Sequence, residues 1–81
     1  MERVSGRNDA EARLKAVGRS IRARRETLAI SQETLAHLAQ IDRSHMGKIE
    51  RGERNVTLLN LVKISSALAC KPSELLYSAG L

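Results

Sequence analysis

The chain has 81 residues, enough for one small domain near the lower size limit for a self-sufficient hydrophobic core. Lys and Arg total 14 against nine Asp and Glu, and the formal net charge of +5 favours nucleic acid or an anionic membrane as partner, although a solvated basic surface has the same composition. The single cysteine, Cys70, excludes an internal disulfide, and the sequence has neither a secretory segment nor an apolar run of about 18 residues, so we expect a cytoplasmic protein.

The N-terminal third of the chain predicts an arm followed by a long helix. Residues 1–8 are polar and are expected to form a flexible arm, which leaves residues 9–81 as a single domain. Asp9 is a suitable N-cap for a first helix that ends near Thr27. Its apolar residues recur at helical spacing: Leu14, Val17, Ile21 and Leu28.

Two short helices are predicted next, separated by a tight turn at residues 40–42. Ser31 is a good N-cap for the second helix, which stops near Ala39 and carries an apolar stripe of Leu35, Leu38 and Ala39. Asp42 caps the third helix, which runs from Arg43 to about Arg51. Met46 and Ile49 are its inward residues, and Gly52 follows where a left-handed glycine commonly ends a helix.

The C-terminal part predicts two more helices. Thr57 caps a fourth helix that runs to about Ala69, and its apolar face is expected to hold Leu58, Leu61, Val62, Ser65 and Leu68. Pro72 breaks that helix, and either Pro72 or Ser73 starts a short fifth helix with Leu75, Leu76 and Tyr77. Strand-like alternation is absent from the sequence, so the expected fold is all-α. Tyr77 is the only aromatic residue, which predicts an aliphatic core.

The second and third helices form the most informative pattern. A compact helical pair leaves the N-terminal half of its second helix exposed, and that half can enter a DNA major groove about 12 Å wide. Ala36 is small where two such helices would cross. Spacing alone is equally compatible with an ordinary helical hairpin in a bundle.

Specific residues then point to a family. Ser31 and Gln32 open the second helix, Leu35 and Ala36 follow, and residues 49–52 (IERG) close the third. With these features, residues 31–68 resemble the Xre/Cro-type helix-turn-helix family, and the similarity extends over about residues 17–76. Residues 51–58 (RGERNVTL) are similar to restriction–modification controller proteins, a homodimeric branch. The resemblance implies a compact five-helix, lambda-repressor-like domain and a sequence-specific transcriptional regulator of double-stranded DNA.

The resemblance also implies roles for individual residues. Gln32 matches a phosphate-binding position, and Arg43 and Ser44 match positions that touch base edges. The remaining DNA-binding positions that it implies are Gly47 and Lys48 in the groove, Arg51 at the helix end, and Arg54, Asn55 and Thr57 on the DNA backbone. Each has a simpler alternative: Arg43, Ser44 and Lys48 as solvated surface residues, and Arg51 as a cation on the helix dipole.

The resemblance also implies an ion pair inside the domain. Arg25 and Glu50 match an ion pair that joins the first helix to the end of the recognition helix.

Two positions depart from the family pattern. Gln40 stands where the turn usually has glycine, and a positive φ there would cost about 1 kcal/mol. Gly47 lies inside the recognition helix, where it either allows close approach to the bases or reduces the number of contacts.

The residues after Asn55 predict self-association. Only Lys63, Lys71 and Glu74 are charged there. The core of one small domain is not expected to bury every apolar residue in this part of the chain. We expect the fourth and fifth helices to form a two-fold interface with Leu59, Leu75, Leu76 and Leu81. Such a homodimer would hold its recognition helices about 34 Å apart on a palindromic operator, where it would block or contact RNA polymerase. The alternative is a monomer whose own core takes up these residues.

Other chemistry has little support. His37 and His45 are far from Cys70 and do not have zinc-ligand spacing, so we expect no metal. The absence of a nucleophile motif or a phosphate-binding loop argues against an enzyme, and we expect no cofactor or small-molecule ligand. Three other functions remain open: an antitoxin with a protein toxin as partner, a single-strand or RNA binder, for which aromatic residues are scarce, and a membrane-surface module.

Overall fold

The computed structural model describes residues 7–81, with side chains from residue 9 onwards. This part of the chain folds into five α-helices without a strand, as predicted. They are α1 (Arg7–Thr27), α2 (Gln32–Ala39), α3 (Arg43–Glu50), α4 (Leu58–Ala67) and α5 (Pro72–Ser78). None of these helices combines the length and the hydropathy needed to cross a membrane.

The start of the chain corrects one expectation. Helix α1 begins at Arg7, so Asp9 lies in its first turn, where a carboxylate suits the helix dipole, and is not the N-cap. Residues 7 and 8 of the predicted arm (residues 1–8) therefore belong to α1. Its first six residues lie outside the described part of the chain.

Three predicted N-caps are confirmed by hydrogen bonds. The Ser31 hydroxyl accepts from the Thr34 amide at 3.0 Å, and the Thr57 hydroxyl accepts from the Asn60 amide at 3.1 Å. The Asp42 carboxylate accepts from the amides of Ser44 and His45. These short side chains satisfy amides that a helix start otherwise leaves without an acceptor, so they set the first residues of α2, α3 and α4.

The helix ends share one conformation. Gln40 has φ = +56°, which confirms the left-handed turn considered for it, and Ala29 and Ala69 have the same value. In each case a backbone amide just past the helix returns to the last turn, as when the Ile41 amide donates to the Ala36 carbonyl at 2.9 Å. These turns keep the connections short and hold successive helices against one another.

The core is aliphatic, as the composition predicted. Helix α1 packs against α3 and α5, and α2 packs against α3 and α4. The buried hydrophobic residues are Val17, Ile21, Leu35, Ala36, Ala39, Met46, Ile49, Leu61, Ile64, Leu68 and Leu75. The buried Ser20 hydroxyl donates to the Leu75 carbonyl at 2.8 Å and so joins α1 to the fifth helix.

The predicted apolar faces were partly wrong. In α4, Leu58 and Val62 are exposed, and Ile64 takes part in the core instead. Leu28 and Leu38 are also exposed, because α1 ends before Leu28 and α2 turns Ala36 towards its neighbours. Helix α4 ends at Ala67, two residues earlier than expected.

Candidate nucleic-acid interface

The first turn of α3 is exposed at two of its residues, Arg43 and Ser44. Asp42 caps this turn with its own carboxylate, so the side chains of Arg43 and Ser44 are not needed to satisfy the backbone. Both residues are exposed, and neither side chain forms a hydrogen bond or an ion pair within the described part of the chain. The turn therefore presents one guanidinium and one hydroxyl to an external partner.

The other end of α3 is anchored through Glu50. The Arg25 guanidinium donates from Nε to Glu50 Oε2 at 2.7 Å and from Nη2 to Oε1 at 2.9 Å. A third hydrogen bond comes from Gln32 Nε2, which donates to Oε1 at 3.1 Å. The predicted ion pair is therefore present, and it is largely buried, since the side chains of Arg25 and Glu50 are only 13% and 3% exposed.

This pair connects more elements than predicted. Arg25 also donates from Nη1 to the Ile30 carbonyl at 3.1 Å, which ties the loop after α1 to the same group. Because Glu50 accepts its hydrogen bonds, the pKa of Arg25 is raised above its usual value, and the guanidinium keeps its charge despite burial. Helices α1, α2 and α3 thus meet at one carboxylate.

The Gln32 side chain forms a hydrogen bond inside the domain, and its predicted phosphate contact stays a prediction. Its amide nitrogen donates to Glu50, so in this structure the side chain stabilises the helix pair. Its backbone amide remains suited to an anion, because Ser31 caps Thr34 and the first amides of α2 lack an intrahelical acceptor.

Gly47 is buried in this structure, and its predicted position in the groove stays a prediction. A Cβ built on Gly47 would lie 3.1 Å from Oε1 of Gln32 and 3.2 Å from Nη1 of Arg51. The missing side chain therefore leaves room for two polar side chains to lie across the middle of α3. Lys48, on the next position of the helix, is half-buried.

Gly18 is an anchoring residue that the sequence analysis missed. A Cβ at this position would lie 2.4 Å from the carbonyl oxygen of Glu50 and 2.6 Å from that of Ile49. Only glycine allows α1 to approach the C-terminal end of α3 so closely. The available signal was a glycine inside a long helix, where it weakens the helix unless packing requires it.

A second missed residue is Glu53, just beyond α3. Its carboxylate accepts from Nε of Arg51 at 3.1 Å and from Nη2 at 3.2 Å. The bond from Arg51 lowers the pKa of the Glu53 carboxyl, and the charge of Lys48 acts in the same direction. Arg51 therefore has a carboxylate partner on the surface where a DNA contact was expected.

The loop between α3 and α4 holds the last predicted DNA-binding residues. Arg54 and Asn55 are exposed, with no hydrogen bond formed by either side chain within residues 9–81. Thr57 is exposed as well, but its hydroxyl caps α4. The predicted DNA-binding residues thus lie on three consecutive elements: α2, α3 and the loop after α3.

The predicted dimer residues separate into two groups. Leu59 and Leu81 are exposed, at 72% and 55%, and Leu76 is half-buried. Leu75 is only 2% exposed, because it faces α1 and packs in the core of its own domain, so it was wrongly assigned to an interface. Leu58, Val62 and Tyr77 are exposed apolar residues that the interface prediction omitted.

Metal-ligating residues do not cluster within residues 9–81: no group of three or more His, Cys, Asp or Glu side chains comes together there. Cys70 is half-buried in the turn between α4 and α5, and burial raises the pKa of its thiol. A thiol in this state is less reactive than an exposed one.

Comparison with known proteins agrees with the fold and its helix pair. The helix-turn-helix family model HTH_3 matches residues 21–75. Control protein C.MunI of Mycoplasma sp is 46% identical over 52 residues, which cover 64% of this chain and 70% of that protein. Control protein C.SmaI of Serratia marcescens is 39% identical over 62 residues, which cover 76% and 74%.

A solved structure gives the same relationship. The restriction-modification controller protein C.AhdI from Aeromonas hydrophila superposes with a TM-score of 0.75 at 47% sequence identity. The match covers 76% of this chain and 94% of C.AhdI.

Proposed function

Because the chain belongs to the Xre-type helix-turn-helix family of DNA-binding transcriptional regulators and is similar to restriction-modification control proteins, we propose that it is itself a controller protein. In this role it binds a palindromic operator as a homodimer and acts in the cytoplasm. The observation that carries the proposal is the exposed first turn of α3 on a helix whose other end is anchored.

Base reading is assigned to Arg43 and Ser44. A guanidinium can donate two parallel hydrogen bonds to O6 and N7 of guanine, which contributes about 1–3 kcal/mol of discrimination against another base. The Ser44 hydroxyl can reach a base or a phosphate. Both side chains are free to do so, since Asp42 caps the helix in their place.

Phosphate binding is assigned to the surroundings of α3. The backbone amides at the start of α2 attract an anion through the helix dipole, and Lys48, Arg51 and Arg54 add positive charge. Asn55 and the start of α4 at Thr57 complete this group. The net charge of +5 supports binding to a polyanion, with an affinity that falls as salt increases.

Dimerisation is assigned to α4, α5 and the C-terminal residues. The exposed apolar side chains there are Leu58, Leu59, Val62, Tyr77 and Leu81, with Leu76 at their edge. Exposed apolar groups at this density favour an interface, and a two-fold axis would space two α3 helices by about 34 Å, one turn of DNA. Leu75 has no part in this surface.

Regulation then follows from concentration. A dimer bound near a promoter blocks RNA polymerase or contacts it, and its occupancy rises as the protein accumulates and dimerises. Such a dependence delays expression of the regulated gene, which suits a controller of restriction and modification genes. No small-molecule ligand is needed for this mechanism.

The test is selection of binding sites from a random duplex DNA library at near-physiological salt, followed by sequencing. We expect an enriched palindrome for the wild-type protein and a loss of preference at one position of each half-site for Arg43→Ala. Binding without an enriched motif would contradict a specific regulator. A co-purifying protein toxin would favour the antitoxin function instead.

Oligomeric state is tested separately by analytical ultracentrifugation at micromolar concentration. We expect a species of twice the 8.9 kDa chain mass and its dissociation in Leu59→Glu. Ala10→Glu, which adds the same charge at an exposed residue of α1 outside α4 and α5, is the control. A wild-type species of 8.9 kDa alone would contradict the dimer.

A further inference from the structure

Arg51 and Glu53 form a two-bond ion pair beside the recognition helix. Arg51 donates from Nε to Oε2 at 3.1 Å and from Nη2 to Oε1 at 3.2 Å, so the guanidinium presents an edge to both carboxylate oxygens. The side chains are 57% and 54% exposed, so the pair is accessible to an external ion. Exposed pairs of this kind contribute little to folding stability.

The backbone holds the two residues at this separation. The Gly52 amide donates to the Ile49 carbonyl at 3.0 Å, and the Glu53 amide donates to the Lys48 carbonyl at 2.8 Å. This double return around a left-handed glycine, with φ = +74°, is a Schellman motif. Glu53 is therefore held by the same turn that ends α3, and its carboxylate is available to Arg51 before any ligand binds.

The pair lies at the proposed DNA surface. Nη1 of Arg51 is 3.2 Å from the position that a Cβ of Gly47 would occupy, so the guanidinium lies over the middle of α3. Lys48 is near enough for its charge to lower the pKa of the Glu53 carboxyl. A carboxylate thus stays ionised among cations that a DNA phosphate would also approach.

We propose that Glu53 competes with DNA phosphate for Arg51 and thereby lowers the affinity of this protein for duplex DNA of any sequence. The inference rests on the proposed function. A phosphate offers a guanidinium the same pair of oxygens as a carboxylate does, so one can replace the other with little rearrangement. When the phosphate binds, the uncovered Glu53 carboxylate faces the DNA backbone and repels it.

This competition sets the level of affinity for all duplex DNA. Base contacts by the first turn of α3 supply free energy only on the operator, and that gain offsets the displacement of Glu53 there. Elsewhere on DNA the displacement has no such compensation, so nonspecific complexes become weak. The cost is the same wherever Arg51 binds a phosphate, so Glu53 leaves the ratio of operator to nonspecific affinity unchanged.

The test compares four proteins on a random-sequence duplex over a series of salt concentrations: wild type, Glu53→Gln, Arg51→Gln and the double variant. We expect Glu53→Gln to bind about two- to fivefold more tightly than wild type, in keeping with the strength of exposed ion pairs. Its plot of log affinity against log salt should be steeper, by at most about 0.9, because Arg51 then neutralises one more phosphate.

The double variant distinguishes competition for Arg51 from direct repulsion between the Glu53 carboxylate and DNA. In the Arg51→Gln background we expect the Glu53→Gln change to have less than half of its effect. An equal gain in both backgrounds would overturn the proposal, because Glu53 would then act only through its negative charge. Weaker binding by Glu53→Gln would overturn it too, since Glu53 would then position Arg51 for its contact.

Glu26→Gln is the matched control. Glu26 is an exposed carboxylate paired with Arg22 at 3.1 Å on α1, so its substitution changes the net charge equally without freeing Arg51. We expect a smaller change in affinity than for Glu53→Gln. Equal gains would overturn the competition, whereas failure of all these proteins to bind duplex DNA at low salt would overturn the proposed function as well.

Discussion

The two ends of α3 differ in exposure and in hydrogen bonding. At the N-terminal end, Arg43 and Ser44 are exposed and their helix turn is capped locally by Asp42. At the C-terminal end, Ile49 and Glu50 are buried, and Glu50 accepts hydrogen bonds from two other helices. An eight-residue helix thus combines a free end with a fixed one.

This difference shows how a domain of minimal size can present side chains accurately. A recognition helix is useful only if its axis is held rigidly, because the entropy lost on ordering a mobile helix would reduce the affinity. Here the holding contacts lie at one end and the proposed reading groups at the other. Substitutions at the two ends should therefore have different consequences.

The largest effect is expected for Glu50→Ala. Removal of the carboxylate leaves the Arg25 guanidinium, 13% exposed, without its partner, and breaking a buried pair in this way costs about 3–5 kcal/mol. We expect a clear loss in the free energy of unfolding, measured by urea denaturation, together with a loss of DNA binding. Glu26→Ala, which breaks an exposed pair on α1, should change stability by less than about 1 kcal/mol. Similar losses in the two variants would contradict the anchoring role of Glu50.

The second effect concerns the close approach of α1 to the same end. In Gly18→Ala the new Cβ would meet backbone carbonyls that cannot rotate away, so the helices must separate, at a cost of about 1–3 kcal/mol. Thermal denaturation measures this loss. Gly47→Ala is the control inside α3, because its Cβ meets the ends of flexible side chains and the helix gains up to about 1 kcal/mol in propensity. A more stable Gly18→Ala variant would show that the two helices are not in required contact.

The third effect should appear only in binding. Arg43→Ala removes a side chain that has no partner among residues 9–81, so we expect unchanged stability and a binding free energy for the selected operator weaker by about 1–3 kcal/mol. Titration with operator and scrambled duplexes measures the difference. Lys63→Ala on α4 removes the same charge outside the helix pair and should weaken binding to both duplexes slightly and equally. An equal loss on both duplexes for Arg43→Ala would assign Arg43 to a phosphate.

The smallest effect tests the turn that joins the two helices. Gln40 has φ = +56°, a conformation that costs a residue with a Cβ about 1–2 kcal/mol and glycine almost nothing. We expect Gln40→Gly to stabilise the domain by at most about 1 kcal/mol, since the greater freedom of glycine in the unfolded chain offsets part of the gain. Ala29→Gly and Ala69→Gly, at the same φ, should behave alike in urea denaturation. Destabilisation in all three would contradict strain in these turns.

Much of the domain could be predicted from short stretches of sequence. The caps at Ser31, Asp42 and Thr57 were correct, because each forms hydrogen bonds within three residues of itself. The left-handed Gly52 was correct for the same reason. The Arg25–Glu50 pair spans 25 residues and was found only through the family resemblance, since nothing local indicates it.

The candidate site was predicted less completely. Family positions identified α2, α3 and the following loop, but Glu53 was overlooked because its importance depends on the direction of the Arg51 side chain. Leu75 was assigned to an interface because a leucine on a short helix has no local signal that separates a domain core from a subunit contact. The buried position of Gly47 likewise depends on where the side chains of Gln32 and Arg51 lie.

The sequence by itself determined where the helices start and stop, because capping, left-handed turns and helical spacing act within a few residues. Motifs of the same short range identified the family to which the chain belongs. Only the tertiary structure decided which face of each helix is covered. It brought Gly18 against the carbonyls of Glu50 and Ile49, put Leu75 in the core and left Leu59 in solvent. These outcomes depend on how helices distant in the chain cross one another, and the crossing follows from the packing of all five at once.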